Sequence, residues 1–186
     1  APHIFIGFPN RYTDRGWTES TRLLPEYELR RQRARETSRY GTAVTDSLLM
    51  TSRDGVHFHR WPEAFLRPGL RTRHNWSYGD NAVAWHLLET QSAFDDEPRE
   101  LSLFATESYF TPSWSRLRRY SLRIDGFASV FAPISGGALF TKPILFAGKR
   151  LILNFSTSGA GSLQVKLLDS RSQTVADSDP IFGDSI

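Results

Sequence analysis

The stretch from Thr42 to Trp61, TAVTDSLLMTSRDGVHFHRW, limits what this chain can fold into more than any other segment. It sets two runs rich in apolar and β-branched residues on either side of Asp54-Gly55. An Asp-Gly pair between such runs is a strong hairpin signal. The same grammar recurs along the chain. HIFIGFPNRY (3–12) is an apolar run closed by Pro9 and Asn10. NAVAWHLLET (81–90) and ELSLFATESYF (100–110) are two further runs, joined by the acidic loop QSAFDDEPR. SRLRRYSLRIDGFASVFA (115–132) again places strands around an Asp-Gly pair, Asp125-Gly126. Only TRLLPEYELRRQRARET (21–37) has helix-forming content. Pro25 interrupts it, so it reads as a long excursion between strands. The prediction is an all-β chain.

At 186 residues, 39% hydrophobic and 13% aromatic, the chain can bury a core in one ordinary domain or two small ones. It contains no cysteine, which excludes disulfides, thiolate metal sites and a cysteine nucleophile. No run is long and apolar enough for a membrane-spanning helix. APHIFIGF lacks the basic segment that opens a signal peptide and starts almost directly on a strand pattern. The chain therefore reads as a fragment or processed product of something longer. A secreted or periplasmic setting is favoured.

The net charge is +3, and the basic side is nearly all arginine. Arg22, Arg30, Arg31, Arg33, Arg35 and Arg39 crowd one stretch, which is one form a nucleic-acid footprint takes. Glu26, Glu28 and Glu36 are interleaved and offset much of that charge. The expectation is a solvated segment, with no nucleic-acid partner and no membrane.

Asp54-Gly55 and Asp125-Gly126 each follow a mixed strand and precede one with aromatics, and each has an aromatic-rich strand upstream. Small antiparallel sheets repeating at this spacing suggest propeller blades, too few here to close a ring. After about Ala132 the pattern changes to short alternating strands with Gly-rich turns. Leu151, Leu153 and Phe155 share one face, and Leu163, Val165 and Leu167 another. That pattern is sandwich-like. The expected division is 1–124 for the last blades of a five-bladed β-propeller and 125–186 for a partial β-sandwich.

GFPNRY, TDSLLMTSRDGVHFHR, AFLRPG, NWSYGDN, LRRYSLRIDGFASV, TKPILFAGKRLILNFSTSGAGSLQVKLLD and GDSI together resemble a set of uncharacterised bacterial proteins. That set is similar to the five-bladed propeller glycoside hydrolases, the superfamily of arabinanases, invertases and levansucrases. The resemblance implies the last propeller blades followed by a C-terminal β-sandwich. It also implies further blades outside this chain, among them the one that carries the hydrolases' aspartate base or nucleophile.

Glycoside hydrolysis needs two carboxyl groups across the scissile bond, one protonated and one ionised. Asp80 in NWSYGDN lies among Asn75, Trp76 and Tyr78, an aromatic platform beside a carboxylate. The plain alternative is a turn in which Asp80 bonds local backbone. Glu107 ends a strand whose face is otherwise Leu101, Leu103 and Ala105, so desolvation is expected to raise its pKa, as a general acid requires. Asp46 enters another apolar strand and is placed to hold a substrate hydroxyl or tune a neighbour. Arg11 and Arg53 are candidates for orienting a carboxylate or binding an acidic sugar, with inter-blade salt bridging as the structural alternative. His57 and His59 are two apart on an expected strand, hence on one face. A third metal ligand would have to come from His3, His74 or His86 at no recognisable spacing, so no metal is expected. GAG in STSGAGS lies between strands and reads as a turn, so no phosphate loop is present. The expected function is hydrolysis of a glycosidic bond by paired carboxylates, without a cofactor. The alternative is a non-catalytic carbohydrate-binding or scaffolding module of the same fold.

Overall fold

The computed structural model of the chain describes residues 4–72, 75–109, 111–112 and 115–185. His3, His74 and Phe110, named above, lie outside them. The chain divides into two compact units, residues 1–127 and 128–186. The division falls just past the expected 124/125 boundary, because Phe127 still stacks near Phe65 of the first unit, with centroids 6.4 Å apart.

Two antiparallel sheets make the first unit. The first has β3 (Ala43–Ser52) at its centre and β4 (His59–Leu66) on one side. On the other side lie β1 (Phe5–Gly7) and β2 (Asn10–Asp14). β2 pairs with the first half of β3, Asp14 opposite Ala43, and β1 pairs with its end, Phe5 opposite Ser52. They form one edge row broken at Phe8-Pro9, where Pro9 has no N–H to give. Its carbonyl still accepts from the Leu48 N–H at 2.9 Å, so the register runs through the break.

The second sheet repeats this order. β6 (Glu100–Glu107) is central and β7 (Arg116–Arg123) pairs with it in unbroken register, Glu100 opposite Arg123 and Glu107 opposite Arg116. The other edge is again in two pieces: β5 (Leu88–Thr90) opposite 100–102, and a bridge from Val83 to Ala105. β3 is buried on both faces along most of its length and β6 at Ser102, Leu103 and Ala105, with Ala43, Val44, Leu48 and Leu49 of β3 among the core residues. The all-β class follows from this predominance of antiparallel strands over three short helices.

The two sheets do repeat, but not through the Asp-Gly pairs. Asp54-Gly55 lies between a central strand and its partner, whereas Asp125-Gly126 lies beyond β7 and leads into no paired strand. The backbone differs too: Gly55 takes the positive φ in the first turn, Asp125 in the second. The Asp54 turn is also longer than a two-residue hairpin. Its Oδ1 accepts from the N–H groups of Val56 and His57 at 2.9 and 2.8 Å. His57 is consequently a turn residue, its Nδ1 2.7 Å from Asp54 Oδ2, while His59 opens β4. The expectation of two histidines sharing a strand face is overturned by this turn. Among the described residues no group of three His, Asp or Glu is placed to hold a metal ion.

The arginine-rich stretch is helical on both sides of Pro25, contrary to the expectation of an irregular excursion. α1 (Glu19–Arg22) starts at Thr18, whose Oγ1 accepts from the Thr21 N–H at 3.2 Å. α2 (Tyr27–Ala34) follows Pro25, and α3 (Arg39–Thr42) leads into β3. Pro25 ends one helix and permits the next, because a proline cannot supply an interior N–H yet is tolerated just before a helix start. Nor is the stretch uniformly solvated. Arg30 is 2% exposed, and its guanidinium donates to the carbonyls of Pro25 at 2.7 Å and Trp76 at 2.8 Å.

The second unit has short pairs only. β8 (Phe155–Ser156) pairs with β11 (Asp184–Ser185), and β9 (Lys166–Leu168) with β10 (Thr174–Asp177). The Leu163–Ile181 bridge extends the second pair. Leu153 and Phe155, and then Leu163 and Val165, are half-buried between exposed neighbours, so the alternation holds locally. Leu151 and Leu167, expected on the same faces, are exposed. No helix among the described residues is long and apolar enough to cross a membrane.

Candidate functional site

Asn75, Trp76, Tyr78 and Asp80 sit on the loop between β4 and β5, and that loop is fastened from below by three elements. Arg30 of α2 holds the Trp76 carbonyl, and more weakly that of Asn75 at 3.4 Å. Thr45 of β3 accepts from the Gly79 N–H at 2.8 Å. Thr106 of β6 donates to the Gly79 carbonyl at 2.6 Å. Asn81 closes the link, giving its side-chain N–H to the Thr45 carbonyl at 3.0 Å and its backbone N–H to the Thr106 carbonyl at 2.8 Å. Gly79 has φ +86°, and a Cβ there would run into the ring of Tyr109, so glycine is required on both counts.

Asp80 is 2% exposed and lies inside this fastening. Its Oδ1 accepts from the Tyr109 N–H at 2.7 Å and its Oδ2 from the Ser77 N–H at 3.3 Å. Burial lifts its pKa to about 6, with a smaller push from the charge of Glu107, against the two N–H bonds and the charge of Arg30. Both oxygens are thus engaged with backbone. Part of the engagement is the local turn bond, and part reaches across to the end of β6. Ser108, between Glu107 and Tyr109, is fully buried with φ 60°, a left-handed kink that turns the chain at that point.

Glu107 is held differently. Its neighbours across the strand pair are Arg116 and Arg118 of β7. Arg116 Nε lies 2.8 Å from Oε2, and Arg118 Nε lies 2.9 Å from Oε1. Burial alone would raise this carboxyl, but the hydrogen bonds and charges of Arg118 and Arg116 outweigh it and leave the pKa below its ordinary value. The expected raised pKa is therefore corrected. The apolar face of β6 ends in two arginines from the neighbouring strand, which a single strand's pattern does not reveal.

Asp46 and Arg11 stand directly opposite each other on β3 and β2. They pair through two parallel bonds, Nε to Oδ1 at 2.9 Å and Nη2 to Oδ2 at 2.6 Å. Arg11 also donates to the Pro62 carbonyl at 2.8 Å, so it straps three strands of the first sheet together. Arg53 is elsewhere, in a shallow cleft of about 410 Å³ with Asp54, His57, His59 and Ile4. The structure thus gathers Asn75, Trp76, Tyr78 and Asp80 on one loop, places Glu107 within electrostatic reach of Asp80, and leaves Asp46–Arg11 and Arg53 in separate settings.

Around the loop lies an aromatic surface, of which the sequence points to Trp76 and Tyr78 on the loop itself. Tyr78 stacks on Tyr12 with centroids 5.1 Å apart, lies 4.9 Å from Tyr40 and 6.5 Å from Tyr109. The Arg39 guanidinium lies 5.6 Å from the Tyr40 ring and 5.9 Å from that of Tyr78. Arg15 is 5.8 Å from the Trp76 ring, whose Nε1 donates to the Gly69 carbonyl at 2.9 Å. Asn75 serves the loop, accepting from the Thr72 N–H at 2.8 Å and donating to the Leu70 carbonyl at 2.6 Å. These tyrosines come from four distant points of the chain, so only the fold brings them together.

No protein-family model matches this chain, and no curated protein and no solved structure matches it.

Proposed function

We propose that the chain is a carbohydrate-binding module that takes sugar rings on the aromatic surface of Tyr12, Tyr40, Tyr78 and Trp76. The observation that carries this reading is the four-tyrosine cluster around Tyr78, bordered by Arg39 and mounted on a loop fixed from beneath. Aromatic rings take the apolar face of a pyranose, and adjacent donors take its hydroxyls. On this reading Asp80 is a positioning residue: its carboxylate gathers the N–H groups of Ser77 and Tyr109 and so fixes the aromatic residues. Titration calorimetry against neutral oligosaccharides tests it. Tyr78→Ala is expected to weaken binding by at least about tenfold. Unchanged affinity in that variant, or no affinity for any glycan in the parent, refutes the reading.

A second reading, hydrolysis of a glycosidic bond, draws on a different observation. Asp80 is raised to about 6 while Glu107 is lowered, and carboxyls pushed apart in this way suit an acid and an ionised partner. The engaged oxygens and the burial of Asp80 favour binding over catalysis. Release of reducing sugar by the parent, lost in both Asp80→Asn and Glu107→Gln, would reverse that order. The shared row order of the two sheets supports reading them as blades of a five-bladed propeller, completed by blades outside this chain. The short alternating strands of residues 128–186 support a partial β-sandwich.

A further inference from the structure

A second cleft in the first unit is built from the arginine-rich stretch itself. It measures about 380 Å³ and is lined by Trp17, Arg22, Tyr27, Arg31, Ala34 and Arg35. Trp17 and Tyr27 meet edge to face, centroids 5.7 Å apart at 82°, and make a corner of two aromatic walls. Arg22 is fixed in that corner. Its Nη1 donates to the Tyr27 hydroxyl at 3.1 Å and its guanidinium lies 5.8 Å from the Trp17 ring. Arg31 lies 5.8 Å from the Tyr27 ring and keeps a carboxylate partner, Glu28, at 3.2 Å. Neither Arg22 nor Arg35 has a carboxylate partner among the described residues, and no acidic side chain lines the cleft.

From this arrangement we infer that the cleft binds an acidic sugar, a ring carrying a carboxylate or sulfate. The inference rests on the carbohydrate reading above and names a second subsite. The aromatic corner takes the ring, and the guanidiniums of Arg22 and Arg35 take the anionic substituent in the planar two-point geometry that arginine offers. A nucleic-acid strand is a poorer fit. The basic groups are concentrated in one pocket instead of running along a track. Glu28 and Glu36 stand beside them on the same stretch, and the first lysine of the chain is Lys142. The cleft also differs from the tyrosine surface in kind, with three cations around two rings instead of a cation beside several.

The test is calorimetry on the whole chain with four probes: a neutral oligosaccharide, a hexuronate oligosaccharide of the same length, a sulfated one, and a single-stranded oligothymidylate. The parent is expected to prefer an acidic glycan over the neutral one by at least about tenfold, with the preference falling towards one in R22Q/R35Q. The hexuronate and sulfated arms tell carboxylate from sulfate. Thermal melting confirms that the double variant folds, and W17A provides a second route to the same loss. Equal affinity for acidic and neutral glycans in the parent overturns the inference, and so does a preference that survives R22Q/R35Q. Oligothymidylate binding as tight as the acidic glycan, and lost in the same variant, overturns it in favour of a nucleic-acid site. Acidic binding that depends on Arg22 and Arg35, with no neutral glycan bound, upholds the cleft while refuting the tyrosine surface.

Discussion

The two units of this chain use similar strand patterns to different ends. In the first, no residue of either central strand is exposed. Thr45, Ser47 and Ser102 are fully buried, and a polar lattice through Gly79, Asn81 and Thr106 joins β3 to β6. In the second, no described residue from 128 to 183 is buried, and Phe131 and Ile134 are 87% and 92% exposed. Alternation is present in both. The comparison teaches that alternation makes strands, while a core requires a second surface against which the apolar face is placed.

Hydrogen exchange should show the largest difference. Amides of β3 and β6 are expected to exchange at least about a thousandfold more slowly than those of β9 and β10, since protection follows burial and local cooperativity. Comparable protection in the two units would break the comparison. Next in size is Arg30→Met. Three carbonyls would lose a buried donor, a cost of about 3 kcal/mol in urea unfolding of the first unit, against under about 0.5 kcal/mol for the same change at exposed Arg35. Gly79→Ala combines positive φ with a collision with Tyr109 and should cost about 2 kcal/mol, with loss of the near-ultraviolet tyrosine signal.

A pH titration sharpens the same contrast. Asp80 has a folded pKa of about 6 against an ordinary 3.8, so the folded state holds the proton more tightly. Its contribution to stability falls as pH rises between those values, and Asp80→Asn should flatten that fall, by about 3 kcal/mol at most, in melting curves across the window. Glu107 acts in the opposite sense, its contribution being lost as pH falls through its depressed folded pKa. The smallest effect is expected from Leu163→Ala. Its half-buried side chain leaves little cavity, and global unfolding should move by under about 0.5 kcal/mol.

Much of the first unit was legible because strand signals are local. The runs 43–52, 59–66 and 100–107 carry the periodicity of strands, and the Asp54 turn carries its own chemistry in the aspartate side chain. The NWSYGDN loop also stood out, through a glycine and an aspartate among aromatic residues. What stayed hidden depends on neighbours distant in sequence. Glu107 looked like a carboxyl in an apolar face until β7 brought two arginines beside it. Asp46 looked available until Arg11 came to stand opposite it. Arg30 is indistinguishable in sequence from the arginines around it, yet it is buried and donates to the carbonyls of both Trp76 and Asn75.

By itself the sequence determined the all-β character, the central hairpin and the loop that bears Trp76, Tyr78 and Asp80. These follow from side-chain period and turn chemistry within a few residues. Tertiary structure alone decided which groups engage each carboxylate, which arginine is buried, and which tyrosines form one surface. Charge state and accessibility depend on the groups within a few ångströms, and in this chain those groups come from segments tens of residues apart.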